Sequence, residues 1–204
     1  MSNEKTSAAM KQPRTSISLD PRYIGRITGV LLAICLVVAL LLGVVNQVTK
    51  PKIDAIEAEK IRTAMAQVLQ ADEYVPWEGE LPKSITSLSA AISGGEGLGW
   101  VVQTTATGSQ GPITMMVGID PSGAVTGVSI VSHSETPNIG TKVVADQSVL
   151  DRFTGMSHEG GEITVNSGSN RFDGVSGATV SSRGVTSGVN AALDAVAGLL
   201  VKEG

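Results

Sequence analysis

Residues 100–108 (WVVQTTATG), 112–120 (PITMMVGID) and 124–133 (AVTGVSIVSH) are three short runs rich in valine, isoleucine and threonine. Residues of this kind favour extended backbone, and turn-forming residues separate the runs, so they predict an antiparallel meander. The tetrapeptide 120–123 (DPSG) has proline at its second and glycine at its fourth position, which favours a type I turn between the second and third runs. The meander decides the fold class, because the segments around it then have to supply the helices that cover the sheet.

Toward the C terminus, residues 143–153 (VVADQSVLDRF) predict a short helix and residues 162–167 (EITVNS) a further strand. The final stretch has an apolar stripe at helical spacing, formed by Val185, Val189, Ala192, Leu193, Val196 and Leu200. We expect this last helix to pack on the sheet, which makes the soluble part an α+β fold.

Toward the N terminus, residues 53–70 (IDAIEAEKIRTAMAQVLQ) place apolar side chains at helical spacing and predict a packing helix. Pro51 cannot donate an intrahelical hydrogen bond, so we expect it to bend or restart the helix there. Residues 71–98 contain several prolines and glycines and predict loop and irregular structure. Residues 50–98 therefore connect to a globular domain at 99–204.

The preceding residues 27–49 contain no charged side chain and exceed the roughly 20 apolar residues that cross a bilayer. A signal peptide is the alternative, but its apolar region is only about 7 to 15 residues long and ends at a small-residue cleavage site. The sequence therefore predicts a single uncleaved transmembrane helix at 27–49, preceded by a tail at 1–26.

The orientation of this helix depends on the basic residues at its two ends. Near the helix, three basic residues precede it (Arg14, Arg22 and Arg26), and four follow it at comparable distances (Lys50, Lys52, Lys60 and Arg62). Counting the whole tail adds Lys5 and Lys11. Basic residues favour the cytoplasmic side. The residues nearest the helix do not decide its orientation, whereas the whole-tail count favours a cytoplasmic tail and an extracytoplasmic domain. For a bacterial inner membrane, that is the periplasmic side.

Composition excludes several classes of function. The formal net charge is −4, and the last 150 residues carry no block of basic side chains, which argues against nucleic-acid binding. Cys35, the only cysteine, lies in the apolar run, so intramolecular disulfides, iron–sulfur clusters and cysteine zinc sites are excluded. His133 and His158 have no metal-ligand spacing, and no metal site is expected.

Residues 173–182 (DGVSGATVSS), just before the last helix, carry the most informative pattern. Glycine and alanine remove bulk on the approach to Thr179, so a large group has room to reach its hydroxyl. Ser181 and Ser182 are candidate helix caps, and a helix start suits a phosphate because its N–H groups are unpaired. The alternative is a plain strand-turn-helix junction in which the serines only cap the helix. The serine hydrolase motif and the Walker A loop are both absent.

The run DGVSGATVSS resembles the flavinylation motif of the FMN-binding domain in Rnf and sodium-pumping NADH:quinone reductase complexes. Residues 133–140 (HSETPNIG) resemble the E-T-P-G-L-G loop of that family, which lies near the flavin ring, with Asn138 where glycine is usual. Asparagine tolerates a left-handed backbone, so we expect the loop to keep its shape. The resemblance covers nearly the whole chain. In its length and its single transmembrane span, the chain is more similar to the Rnf G subunit than to the longer C subunit of the quinone reductase.

The resemblance implies an electron-transfer subunit with an FMN-binding domain at 99–204 and with the FMN phosphate esterified to Thr179. It also implies partners: the other membrane and redox subunits of the complex, which couples ferredoxin and NAD oxidoreduction to ion movement, and a separate FAD-dependent flavin transferase. The cofactor-binding residues that it implies are Asp173, Ser176, Gly177, Ala178 and Ser181, together with Glu135 and Thr136. For Glu135 and Thr136, hydrogen bonds that stabilise the loop remain an equal alternative to flavin contacts.

Three other functions stay open. One is a C-type subunit of a sodium-pumping NADH:quinone reductase, and another is a self-contained extracytoplasmic flavin reductase. The third is a non-redox anchor or ligand-binding module, in which residues 173–182 only cap the helix.

Overall fold

The computed structural model describes residues 21–203, apart from the side chains of residues 200–203. Most of the expected tail at 1–26, and the side chain of Leu200, lie outside the described residues. The chain divides into two compact units, Met1–Ile53 and Asp54–Gly204.

The first helix, α1, spans Pro21–Val68. It contains an 18-residue window with a mean hydropathy of 3.0, none of which is buried, and in the described chain it is the one helix long and apolar enough to cross a membrane. These are the properties of a membrane anchor. The restart of the helix expected at Pro51 is wrong, because α1 runs through Pro51 without interruption. The packing helix expected at 53–70 is confirmed as the last part of α1, where Ala64 and Val68 are buried. Proline removes one N–H donor, and the remaining backbone hydrogen bonds of the 48-residue helix maintain it.

The second unit is built on an antiparallel sheet, which in the described chain has five strands in the order β1-β2-β3-β4-β5. Its strands are β1 (Glu73–Pro76), β2 (Ile85–Ser93), β3 (Glu96–Thr107), β4 (Pro112–Ile119) and β5 (Val125–His133). The predicted meander is confirmed, since its three runs fall in β3, β4 and β5. The predicted turn is also present, because the Gly123 N–H donates to the Asp120 carbonyl at 3.0 Å.

The irregular structure expected for residues 71–98 is wrong, because β1, β2 and the start of β3 lie there. Gly94 and Gly95 connect β2 to β3 with φ angles of 60° and 85°. Two consecutive positive φ angles are those of a type I′ turn, whose twist matches that of the flanking strands. The glycines that suggested a loop are therefore the tip of a hairpin.

Helices cover both faces of the sheet within this unit. The last helix, α4 (Thr179–Glu203), packs on one face through a stripe of buried residues: Val185, Val189, Ala192, Leu193 and Val196. On the other face, residues 54–68 of α1 contribute Ala64 and Val68 to a smaller apolar cluster. The Thr126 hydroxyl donates to the Val68 carbonyl at 2.6 Å and ties this part of α1 to β5. The α+β class is confirmed.

The segment between β5 and α4 is more divided than the sequence predicts. The single helix expected at 143–153 is wrong, because the chain forms α2 (Thr141–Val144), α3 (Gln147–Leu150) and a 3₁₀ turn (Asp151–Phe153). Asp146 interrupts the helix with an extended backbone, and its carboxylate caps α3 by accepting from the Ser148 N–H. The strand expected at 162–167 is confirmed in shorter form as β6 (Thr164–Val165), which pairs in parallel with β7 (Arg171–Phe172).

Candidate FMN site

Thr179 is the first residue of α4, and its side chain is exposed. Ser176 and Gly177 are exposed as well, while Ala178 is buried against the core. Gly177 has a φ of 79°, which side chains rarely adopt, and open space surrounds the position where a Cβ would stand. The approach to the Thr179 hydroxyl is therefore open.

The start of α4 differs from the sequence prediction. Ser181 and Ser182 were candidate caps, and this is wrong, because both lie inside the first turn and are buried. The Ser182 N–H donates to the Ala178 carbonyl at 2.9 Å, while the Ser182 hydroxyl accepts from the Val175 N–H at 3.2 Å. Residues 179–181 come before Ser182 in the helix, so their N–H groups have no acceptor within it. They are the donors that an anion at a helix start uses.

Asp173 lies at the entrance to this turn with its carboxylate largely exposed. One of its oxygens is 2.9 Å from Arg171 Nε, and its backbone carbonyl accepts from Arg152 Nη1 at 3.0 Å. The next residue, Gly174, donates its N–H to Asn166 Oδ1 at 2.9 Å. These contacts fix the backbone of the entrance and leave the carboxylate accessible.

Glu135 is 5% exposed and lies on the inner side of the site. Its Oε1 accepts from the N–H groups of Ser109 at 2.7 Å and of Gln110 at 3.4 Å, which belong to the turn between β3 and β4. Its Oε2 accepts from the Ser181 hydroxyl at 2.6 Å. The fold thus brings together two of the sequence-predicted site residues that are 46 positions apart.

Thr136 is half-buried, and it contributes to the loop through its backbone carbonyl, which accepts from the N–H groups of Ile139 and Thr141. Asn138 has a φ of 61°, and its N–H donates to the Thr141 hydroxyl at 2.9 Å. Asparagine therefore takes the left-handed conformation here, in agreement with the expectation that it keeps the loop's shape.

Two features of the site were not predicted from the sequence. Arg183 is exposed and lies four residues after Thr179, so both side chains project from the same face of α4. That spacing was visible in the sequence once the helix start was placed at Thr179. The second feature is the contact of the Glu135 carboxylate with the β3–β4 turn, for which the sequence offers no local signal.

The site's chemistry suits a phosphate ester more than a metal. In the described part of the chain, no three histidine, cysteine or carboxylate side chains are grouped so that they could hold a metal ion. The open turn instead offers a hydroxyl, helix N–H groups without an intrahelical acceptor, and the Arg183 guanidinium one helical turn away. FMN fits this set through its phosphate, because the helix start and the Arg183 guanidinium both favour an anion.

Comparisons with known proteins identify the domain that carries this site. Residues 108–194 match the family model of the FMN-binding domain, a span that contains both the loop of Glu135 and the start of α4. A solved structure, NqrC of Shewanella oneidensis, is 21% identical with a TM-score of 0.45, covering 63% of this chain and 65% of that chain.

Two curated relatives match over most of both chains. The G subunit of the Na⁺-translocating ferredoxin:NAD⁺ oxidoreductase complex of Acetobacterium woodii is 30% identical over 88% of this chain and 94% of its own length. The G subunit of the ion-translocating oxidoreductase complex of Methanosarcina acetivorans is 28% identical, over 87% and 96%. The chain therefore belongs to the family of G subunits of ion-translocating oxidoreductase complexes, and it contains an FMN-binding domain.

Proposed function

We propose that this chain is the electron-transfer subunit of a membrane complex that couples ferredoxin and NAD oxidoreduction to ion movement. The observation that carries the proposal is the exposed Thr179 at the open start of α4, inside the region that matches the FMN-binding domain. FMN supplies the redox chemistry, since it takes up and releases electrons. The names of the relatives support the coupling to ferredoxin, NAD and an ion.

In this proposal the FMN is covalent, with its phosphate esterified to the hydroxyl of Thr179. Ser176, Gly177 and Ala178 shape the turn around the phosphate, and the N–H groups at the start of α4 donate to it. Arg183 supplies a positive charge one helical turn away, which favours the single negative charge of a phosphodiester. Glu135, Thr136 and Ser181 belong to the same site through the loop and the first turn of the helix.

A threonine hydroxyl is a poor nucleophile without a neighbouring base. Neither histidine lies near Thr179 in the sequence. Asp173 carries a carboxylate six residues before Thr179, but this carboxylate is paired with Arg171. We therefore assign the joining reaction to a separate flavin transferase that uses FAD, as the family resemblance implies. The Thr179 oxygen displaces AMP from the FMN phosphate of FAD and loses its proton, so the pyrophosphate bond breaks as the phosphodiester forms. The exposed Asp173 carboxylate is accessible to that enzyme at the entrance of the turn.

The membrane anchor keeps the attached flavin close to the other subunits of the complex. A covalent cofactor on a membrane-bound domain cannot diffuse away, so it stays at a high effective concentration near the other subunits. We propose that α1 crosses the membrane once and that the FMN-binding domain lies on the extracytoplasmic side.

The attachment is tested on full-length chains coexpressed with the flavin transferase. After denaturing electrophoresis, the wild type is expected to show flavin fluorescence and a mass increment for FMN, and Thr179→Ala is expected to lack both. Thr179→Ser is the matched control, because it keeps the hydroxyl and should retain flavin. Flavin that survives denaturation on Thr179→Ala would contradict the attachment site.

A further inference from the structure

Glu135 is the most heavily used polar side chain near the candidate site. Both of its oxygens accept hydrogen bonds, from two backbone N–H groups of the β3–β4 turn and from the Ser181 hydroxyl. All three partners donate, which suits a carboxylate because an ionised carboxylate only accepts. A buried carboxylate without such donors would carry a large desolvation cost, so the three hydrogen bonds act together.

The space around this carboxylate is fitted to it. A Cβ added to Gly108 would stand 2.1 Å from Glu135 Oε1, and one added to Gly140 would stand 2.1 Å from Oε2. The Gly140 Cβ would also approach the Ser181 hydroxyl to 2.8 Å. Since non-bonded atoms do not approach this closely, a side chain at either position would displace the Glu135 carboxylate from its present place.

Ser181 points toward the buried Glu135 carboxylate. Its side chain is 1% exposed, and its hydroxyl donates to Glu135, while Thr179, two residues earlier, is exposed. Positions two apart on a helix lie on different faces, so Ser181 points inward where Thr179 points outward. The Ser181 hydroxyl therefore links the buried side of the first turn of α4 to Glu135.

We infer that Glu135 and Ser181 are positioning residues: they form a buried clamp that fixes the first turn of α4, and with it the Thr179 hydroxyl, against the neighbouring loop and turn. They act on flavin attachment through the placement of Thr179 rather than by touching the flavin. The inference rests on the proposed function, since it concerns the attachment of FMN to Thr179. Errors of about 1 Å in the position of a reacting atom cost on the order of a hundredfold in rate, so such a clamp matters to the transferase.

The test measures the initial rate of FMN attachment to full-length chains in detergent, supplied with flavin transferase and FAD. Ser181→Ala removes the link to the helix while keeping a good helix former, and we expect attachment at least fivefold slower. Glu135→Ala removes the whole clamp, and we expect attachment at least tenfold slower. Glu135→Gln keeps the shape and an acceptor for the turn, so it should recover to within about threefold of the wild-type rate.

Thr186→Val is the matched control. Thr186 is also a buried hydroxyl on α4, but it donates to the Ser182 carbonyl of its own helix at 2.9 Å and makes no link to the loop. We expect it to attach FMN within twofold of the wild-type rate. Thermal unfolding of every variant, followed by tryptophan fluorescence, establishes that the chains compared are folded.

The outcomes separate the two proposals. Wild-type attachment rates in both Ser181→Ala and Glu135→Ala would overturn the clamp, as would an equal slowing in Thr186→Val. If Glu135→Ala does not fold, Ser181→Ala decides alone. A wild-type chain that acquires no FMN, or a Thr179→Ala chain that does, overturns the proposed attachment itself and the clamp with it.

Discussion

Gly177 shows how a single residue opens the site. Its φ of 79° costs a residue with a Cβ about 1–2 kcal/mol, because the left-handed conformation brings the Cβ against the following carbonyl. Nothing lies within 4 Å of that Cβ, so the backbone conformation alone is responsible. We predict that Gly177→Ala lowers the free energy of unfolding by about this amount in urea denaturation.

Gly198→Ala provides the control for that measurement. Gly198 is exposed within α4 and also has free space around its Cβ position, but its φ is outside the left-handed range. Alanine should therefore stabilise the helix by about 0.5–1 kcal/mol, in the opposite direction. Trp77 and Trp100, the only tryptophans, both belong to the second unit, so their fluorescence reports its unfolding. Two substitutions with the same sign would contradict the role of the Gly177 backbone.

Asp120 gives the second prediction at the residue scale. Burial raises the pKa of Asp120, but hydrogen bonds from the Ser122 hydroxyl and from the backbone N–H groups of the turn outweigh it, so the pKa lies below its ordinary value. A lowered pKa in the folded state adds stability that is present above the unfolded pKa of about 3.9 and is lost as the pH falls through the folded value.

We therefore expect Asp120→Asn to be less stable than the wild type at pH 7, with the difference shrinking as urea denaturation is repeated from pH 5 down to pH 3. Glu80→Gln is the control, because Glu80 is exposed and makes no hydrogen bond within the described part of the chain. If the difference in the free energy of unfolding between the wild type and Asp120→Asn does not change with pH, the lowered pKa of Asp120 does not contribute to stability.

At the scale of elements, the sequence predicted the strands that are rich in valine, isoleucine and threonine and missed the strands that glycine and proline interrupt or end. The runs in β3, β4 and β5 were identified because β-branched residues fill them. The strands in 71–98 were missed because glycine and proline mark turns and strand ends alike. Pro76 closes the edge strand β1, and Gly94-Gly95 form the tip of the next hairpin. Two helix boundaries were also predicted wrongly, because a single residue does not decide where a helix ends. Pro51 lies inside α1, and Asp146 divides a helical pattern into two short helices.

The pairing of Phe153 with Phe172 joins two of these short elements. Their rings stack with centroids 4.1 Å apart, and both side chains are fully buried. Phe172 ends β7, directly before the turn that leads to Thr179, so its burial holds the entrance to the site. We predict that Phe172→Ala lowers the free energy of unfolding by about 3–5 kcal/mol and that Phe172→Leu costs less, about 1.5 kcal/mol or below.

Urea denaturation with tryptophan fluorescence measures both changes. Val75→Ala is the matched control, because Val75 is 41% exposed on the edge strand and its truncation should stay within about 0.5 kcal/mol. A Phe172→Ala chain as stable as Val75→Ala would show that the stacked pair does not support the turn.

At the scale of the whole molecule, the candidate site joins segments that the sequence keeps apart. Residues 173–182 were recognisable because the turn and the hydroxyl lie next to each other in the chain. The Glu135 contacts with Ser109 and Ser181 were not, because they span 26 and 46 residues and exist only once α4 packs on the sheet. Local spacing indicates an open turn with a hydroxyl, and attachment to Thr179 is what the family resemblance implies, whereas the side chains that contact the first turn of α4 from the core side are determined by the tertiary fold.

The orientation across the membrane is the last prediction at this scale. Because Cys35 is the only cysteine, Cys35→Ser gives a background in which single cysteines report their side of the membrane. In intact protoplasts, a membrane-impermeant maleimide should label Glu78→Cys, an exposed position of the FMN-binding unit. It should label Ser7→Cys, in the tail, only after lysis, because the excess of basic residues favours a cytoplasmic tail. Labelling of Ser7→Cys before lysis, or protection of Glu78→Cys, would place the flavin on the cytoplasmic side or remove the span.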